Sequence, residues 1–371
     1  MNKPTTSTIQ FSGEIQNKKG AWSRYAAAED LFTTLLEAEA LDKNLNKLSL
    51  ITQCFEQALE QALIAAYKGS SVSEIAHRFL QRILYRINRL KLFWYDDLKL
   101  YENERSYYLQ GIRDKIEGAW QTWETQHFDL FALKKLKVEE SLREEARNDL
   151  HSKPSEVGLF FRDQMGKAGY RRLLEISSLD GLVEASQLSR MLGGVSNEIH
   201  ATLTKLFLEE YGNGRLSRKH STFFETMLNE FNMKTKPEAY IDTVPWEVLA
   251  GINHSFLLTE RKRYYLRYIG GLLYTEVAIP SAFRNYSSAA KRLGFSESAM
   301  GYWELHIKED ARHGPWMLHD IALPLSERYP SDSWELVFGY KQQRLISERA
   351  GGAIARSARI ADSGFRAENN I

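Results

Sequence analysis

The sequence holds a single cysteine, Cys54, in 371 residues. That excludes an intramolecular disulfide and any cysteine-built zinc or iron–sulfur cage. Proline is scarce, eight in all, and alternating strand patterns are weak throughout. No uninterrupted apolar run is long enough to cross a bilayer. The stretch Met1–Asn17 is polar and carries no apolar leader core, so secretion is not expected. An excess of one charge is missing too: 49 Lys+Arg stand against 48 Asp+Glu, a net charge of +1. Such a balance supplies no field for nucleic acid. The expectation is a reduced, cytoplasmic protein with neither a nucleic-acid nor a membrane partner.

What is present favours helix. Leu, Ala, Glu, Lys and Arg are used heavily, and 43% of residues are hydrophobic, so the fold class expected is all-α. Residues 28–67 carry Leu31, Leu35, Leu48, Ile51, Phe55, Leu59 and Leu63 at helical spacing, which predicts a hairpin ending at Gly69-Ser70-Ser71. A second helical stretch runs from Ser73 to about Trp123, dense in aromatics around Phe93-Trp94-Tyr95 that read as packing. Residues 133–150 alternate in charge like a solvated helix, and His151-Ser152-Lys153-Pro154 breaks it. This predicts an N-terminal helical region over 1–150 and a second helical domain over 151–345. Gly193-Gly194, Gly212-Asn213-Gly214, Pro237, Pro245, Pro280, Gly314-Pro315, Pro324 and Pro330 punctuate that second domain. Residues 346–371, small and polar, read as a flexible tail.

The strongest chemical signal is His306, Asp310 and His313, at i, i+4 and i+7 of one helix face. Two imidazoles and a carboxylate with no nucleophile beside them suit a metal better than a hydrolytic triad. A solvent-facing stripe is the plain alternative, but Leu305, Trp316 and Met317 lie close to the same face. Upstream, Glu210 and His220 flank Gly212-Asn213-Gly214, a break that can aim both at one cavity. Glu276 sits inside the apolar octet Leu272–Ile279, where a buried carboxylate needs a partner. Glu184 alone would read as a surface residue. The set of four carboxylates and three imidazoles balances two divalent ions, and its hard oxygens with nitrogens suit iron or manganese.

These residues resemble the haem-oxygenase-like diiron oxidases and oxygenases. The likeness lies in His306-x3-Asp310-x2-His313, the mid-chain Glu276, the earlier Glu184, and the segment Glu210-x-Gly-x-Gly through His220-Ser221, and covers roughly residues 155–345. It implies a haem-oxygenase-like bundle preceded by a dimerisation-type helical region. It also implies two Fe(II)/Fe(III) ions held by Glu184, Glu210, His220, Glu276, His306, Asp310 and His313, with O2 as cosubstrate and an external electron donor. By the same likeness His220, Glu210 and His313 serve one iron, and Glu184, His306 and Asp310 the other. Glu276 bridges them, and Glu210 is the extra carboxylate of the family's N-oxygenase branch. These two glutamates are the catalytic candidates. The expected reaction is oxidation of an amine, guanidine or related nitrogen of a small amino-acid-derived metabolite by a homodimer. One relative of that branch continues into a cupin absent from this sequence, so no rearrangement of the hydroxylated product is expected. Arg284, Arg312 and Arg344 are candidates for a substrate carboxylate, and Tyr211, Tyr274, Tyr302 and Trp303 for a pocket lining.

Two rivals share the helices. The same metal pair could attack carbon, giving decarboxylation, desaturation or C–C cleavage of an amino or fatty acid. A metal-free bundle could act as a binding protein, or as a thiamin-salvage-like hydrolase, although Cys54 lies far in sequence from the cluster. Haem breakdown needs one proximal histidine rather than this set.

Overall fold

A computed structural model of the chain describes residues 23–69, 73–94, 96–194 and 197–368. The polar stretch Met1–Asn17, Ser70, Ser71 and Tyr95 fall outside them. Among the described residues every regular element is helical, and no helix is long and apolar enough to cross a membrane. The chain divides between Phe128 and Asp129 into two compact units.

The first unit contains α1 (residues 23–36), α2 (Ser49–Tyr67), α3 (Glu74–Arg89) and α4 (Tyr107–Thr125). The expected hairpin is α1 with α2, closed by Phe32 against Phe55 at a ring separation of 5.1 Å. The second stretch is interrupted: Ser73 caps α3 by accepting from the Ala76 amide, and Ser106 caps α4 by accepting from Leu109. Each hydroxyl satisfies an amide that the first helical turn leaves unpaired.

The second unit contains α5 (Val138–Leu150), α6 (Lys167–Gly181), α7 (Glu198–Glu210) and α8 (His220–Glu230), then α9 (Trp246–Glu260), α10 (Tyr265–Arg292), α11 (Gly301–Trp316) and α12 (Trp334–Glu368). Helix α10 lies against both α11 and α12, and α12 also covers α6 and α9. Glycine sets the α10–α12 crossing. A Cβ on Gly270 would sit 1.9 Å from the Leu336 carbonyl oxygen, and one on Gly339 1.9 Å from that of Arg267, so the two backbones touch where no side chain fits. One helical turn away, Arg267 donates Nε to Glu335 at 2.7 Å and Nη2 at 3.1 Å. The pair is buried and bidentate, the geometry in which an ion pair orients helices most firmly.

Three expectations change. The boundary lies at 128/129 rather than 150/151, because α5 belongs with the second unit: Arg344 donates to Glu145 and Asp149, each at 2.6 Å, and the Tyr340 hydroxyl donates to Asp149 at 2.8 Å. Alternating charge on α5 therefore marks an ion-paired face, not only a solvated one. The stretch 346–371 is no loose tail over its described part, since α12 continues to Glu368 and buries Ile346, Ala353, Ala355 and Ala358. Pro280 and Pro315 break nothing; both lie inside helices.

Candidate metal centre

Five segments of the second unit bring the seven expected side chains together. Helix α7 ends at Glu210 and α8 begins at His220. Between them Gly212, Asn213 and Gly214 take φ of 62°, 52° and 78°, the left-handed region that glycine enters freely and asparagine tolerates. The chain doubles back, and His220 Nδ1 meets Glu210 Oε2 at 2.7 Å. Glu184 comes from the turn that follows α6, where Ala185 has φ 58°. Glu276 projects from α10. Pro280, four residues on, has no N–H for the Glu276 carbonyl, so the helical ladder is open beside that residue. His306, Asp310 and His313 share the inner face of α11 and are all buried.

The seven form two groups. Glu184, Glu210, His220 and His306 can each offer a ligand atom within 4.8 Å of the others, as can Glu276, Asp310 and His313. In the first, His306 Nε2 lies 3.0 Å from Glu184 Oε1 and 3.1 Å from His220 Nδ1. In the second, His313 Nδ1 lies 3.2 Å from Glu276 Oε2 and 3.6 Å from Asp310 Oδ1. Glu210 joins them, with Oε2 on His220 and Oε1 3.7 Å from His313 Nδ1. This grouping departs from the expected partition: Glu210 reaches both groups, Glu276 sits in one, and His220 faces His306 rather than His313. The Gly-Asn-Gly turn is the reason, because it leaves Glu210 at a helix end between α8 and α11.

Two residues outside the seven orient this set: Tyr302, expected only as a pocket lining, and Glu209. Tyr302 accepts from His306 Nδ1 through its carbonyl at 2.9 Å, which leaves Nε2 as the lone-pair nitrogen facing the cluster. The Tyr302 hydroxyl donates to Glu184 Oε1 at 2.5 Å. Glu209 accepts from His313 Nε2 at 3.0 Å and from Arg312 at 3.1 Å, and Arg312 also binds Glu309. Of the candidate pocket aromatics, Trp303 donates to the Tyr170 hydroxyl in the core at 2.9 Å and Tyr274 packs edge-on to Tyr340. Arg344 is engaged with α5 and Arg312 with the two glutamates.

Burial and crowding shape the charges. Burial, with Asp310 and Glu210 adding to it, pushes Glu276 up to about 7. For His306 burial opposes the imidazolium, but Glu184, Glu210 and Asp310 outweigh it and raise the group to about 10. His313 rises to about 11 in the same way, against burial, through Asp310, Glu276 and Glu209. Burial also acts on Glu184, yet the His306 and His220 charges hold its carboxyl below the usual range.

The residues fit a metal on their own chemistry. Glu184 Oε2 and Asp310 Oδ1 are buried oxygens with no hydrogen-bond partner among the described residues, a costly state unless a cation takes them. Ligands about 2.0–2.2 Å from one first-row ion lie no more than about 4.4 Å apart, and the ligand atoms of each group, within 4.8 Å of one another, need close by only a few tenths of an ångström to reach that. Carboxylate and imidazole without thiolate is the donor set of iron or manganese.

Residues 171–344 match the family model described as "Iron-containing redox enzyme". Over 170 residues the chain is 27% identical to the nitrosourea synthase of Streptomyces achromogenes subsp. streptozoticus, a stretch that covers 46% of this chain and 36% of that protein. The match holds an all-α arrangement, and in it lie all seven clustered side chains. Residues 171–344 are therefore similar to the iron-containing redox enzymes, and the all-helical arrangement of this stretch agrees with that likeness.

Proposed function

We propose that the second unit is a non-haem diiron oxygenase that uses O2 to oxidise the nitrogen of a small amine, guanidine or related metabolite. The observation that carries this reading is the junction at Glu210, whose two oxygens each address a different carboxylate–imidazole group. Glu184, Glu210, His220 and His306 would hold one ion, and Glu276, Asp310 and His313 the other, with Glu210 shared. Once bound, a pair of irons supplies reductive activation of O2, with electrons from an external donor.

The protein's own residues supply the rest. The Tyr302 carbonyl fixes the tautomer of His306, and its hydroxyl steadies Glu184. Phe283, Tyr302 and Trp303 pack around His306 and Phe224, which keeps water from that side of the cluster. Lys219 precedes the ligand His220 and lies over the Tyr211 ring at 4.4 Å. Burial works against its charge and the Glu184 carboxylate supports it; a substrate that carries a carboxylate beside the reacting nitrogen would meet that cation. The name of the relative, a nitrosourea synthase, supports attack on nitrogen rather than carbon.

Anaerobic titration should load two Fe(II) per chain. Exposure to O2 with a panel of amino acids and guanidines, followed by mass spectrometry, should then give products heavier by oxygen. Loss of CO2 or of two hydrogens would transfer the chemistry to carbon. A protein that takes up no iron would leave the metal-free reading in place.

A further inference from the structure

We infer that Glu209, not one of the seven clustered side chains, is a positioning residue for His313 and sets how tightly the α10–α11 half of the centre holds its ion. The inference rests on the metal reading above.

The argument starts from the imidazole. Its two nitrogens point in divergent directions, so only one can face a given ion. In His313, Nδ1 faces Glu276, Asp310 and Glu210 at 3.2, 3.6 and 3.7 Å. Nε2 faces away from them and meets Glu209 Oε2 at 3.0 Å. A carboxylate there makes Nε2 the protonated nitrogen, reserves the Nδ1 lone pair for the cluster and raises its basicity. His306 achieves the first effect with the neutral Tyr302 carbonyl; His313 has a full charge behind it.

Glu209 is itself held. Arg312 donates to it at 3.1 Å and also pairs with Glu309, so one guanidinium ties the end of α7 to α11. The indole of Trp316 lies 5.6 Å from the His313 ring and carries Lys205 at 3.5 Å on its face. His313, fully buried, is thus gripped on one edge by Glu209 and flanked by an aromatic plane. The consecutive pair Glu209-Glu210 splits the work. Projecting about 100° apart on the helix, Glu210 enters the cluster while Glu209 reaches the far edge of one of its histidines.

The test is anaerobic Co(II) titration of the full chain, followed by visible absorption, in wild type, Glu209→Ala and Glu209→Gln. Wild type should take up two equivalents. Glu209→Ala should keep the first at wild-type affinity and bind the second about 10- to 100-fold more weakly, with a shifted absorption envelope for that ion alone. Glu209→Gln, whose amide oxygen still accepts from Nε2–H, should fall between. Two equivalents bound by Glu209→Ala with wild-type affinity and spectrum would overturn the inference. So would a Gln variant as weak as the Ala variant, which would make Glu209 a direct ligand. Loss of both equivalents with a lowered melting temperature would reduce it to a folding role and overturn the inference as well. Wild type that binds no metal would instead bring down the parent reading together with this one.

Discussion

At the scale of single residues the centre depends on Gly212 as much as on any ligand. Its φ of 62° is one that a side chain strains to adopt, and an added Cβ would lie 2.5 Å from the Arg218 carbonyl carbon and the Lys219 nitrogen, both backbone. Strain of about 1–2 kcal/mol is therefore joined by a clash that only movement of the His220 side of the turn can relieve. Gly212→Ala should separate Glu210 from His220 and weaken metal uptake more than tenfold in an anaerobic Fe(II) titration. Gly214 is the internal control: its φ is 78°, but a Cβ there meets nothing within 4 Å. Gly214→Ala should cost the strain alone and leave affinity within about threefold. Six of the seven clustered side chains leave local traces in the sequence: Glu276 as a carboxylate among apolar neighbours, His306, Asp310 and His313 by their i, i+4, i+7 spacing, and Glu210 and His220 by the Gly-Asn-Gly break between them. Glu184 reads as a surface residue on its own and enters only through the family resemblance. Glu209 leaves no such trace, and Tyr302 reads only as a pocket aromatic, not as the partner of His306 and Glu184. A glutamate beside another glutamate, or a backbone carbonyl, acquires its role only when a histidine from another helix, or from the next turn, arrives against it.

At the scale of elements, helix formation was readable from periodicity, whereas what each helix does at a proline was not. Pro280 and Pro315 look like stops, and both lie within helices. Burial on several sides outweighs the lost hydrogen bond and steric cost of an interior proline, about 3 kcal/mol. The charges of α5 were equally ambiguous until Arg344 and Lys341 of α12 came into place. Burial disfavours the Glu145 carboxylate, but those two cations outweigh it and hold Glu145 below its ordinary 4.5. A group depressed in the folded state stabilises fully above its unfolded value and loses that contribution as pH falls through the folded one. Amide protection factors in α5, measured by hydrogen exchange, should drop between about pH 5 and pH 3 relative to those of α10. In Glu145→Gln the drop should already be present at pH 7 and the acid step absent. An acid step of wild-type size in that variant would locate the sensitivity elsewhere.

At the scale of the whole molecule, both ends of the second helical unit differ from the sequence expectation. Composition reports what a segment could do alone, and alone residues 346–371 are too small and polar to make a core. In place, Ile346, Ala353, Ala355 and Ala358 are buried, the last two in the cluster that also holds Phe160, Phe161, Tyr170, Phe224 and Trp303. Small residues suit that surface because they let α12 come close to α6. Asp362 completes the contact by accepting from the amides of Gly166 and Gly169, each at 2.7 Å, at the start of the helix that leads to Glu184. A chain ending at residue 345 would give up apolar burial of order 5 kcal/mol, as much as many domains possess in total. It should lose cooperative melting by circular dichroism and fail to bind Fe(II). Asp362→Ala removes only the capping bonds, about 1–2 kcal/mol; it should stay folded, melt a few degrees lower and show faster exchange in the first turn of α6. If the shortened chain kept a sharp transition and wild-type iron uptake, the last two dozen residues would be dispensable, and the burial that α12 provides would not be what holds α6 and Glu184 in place.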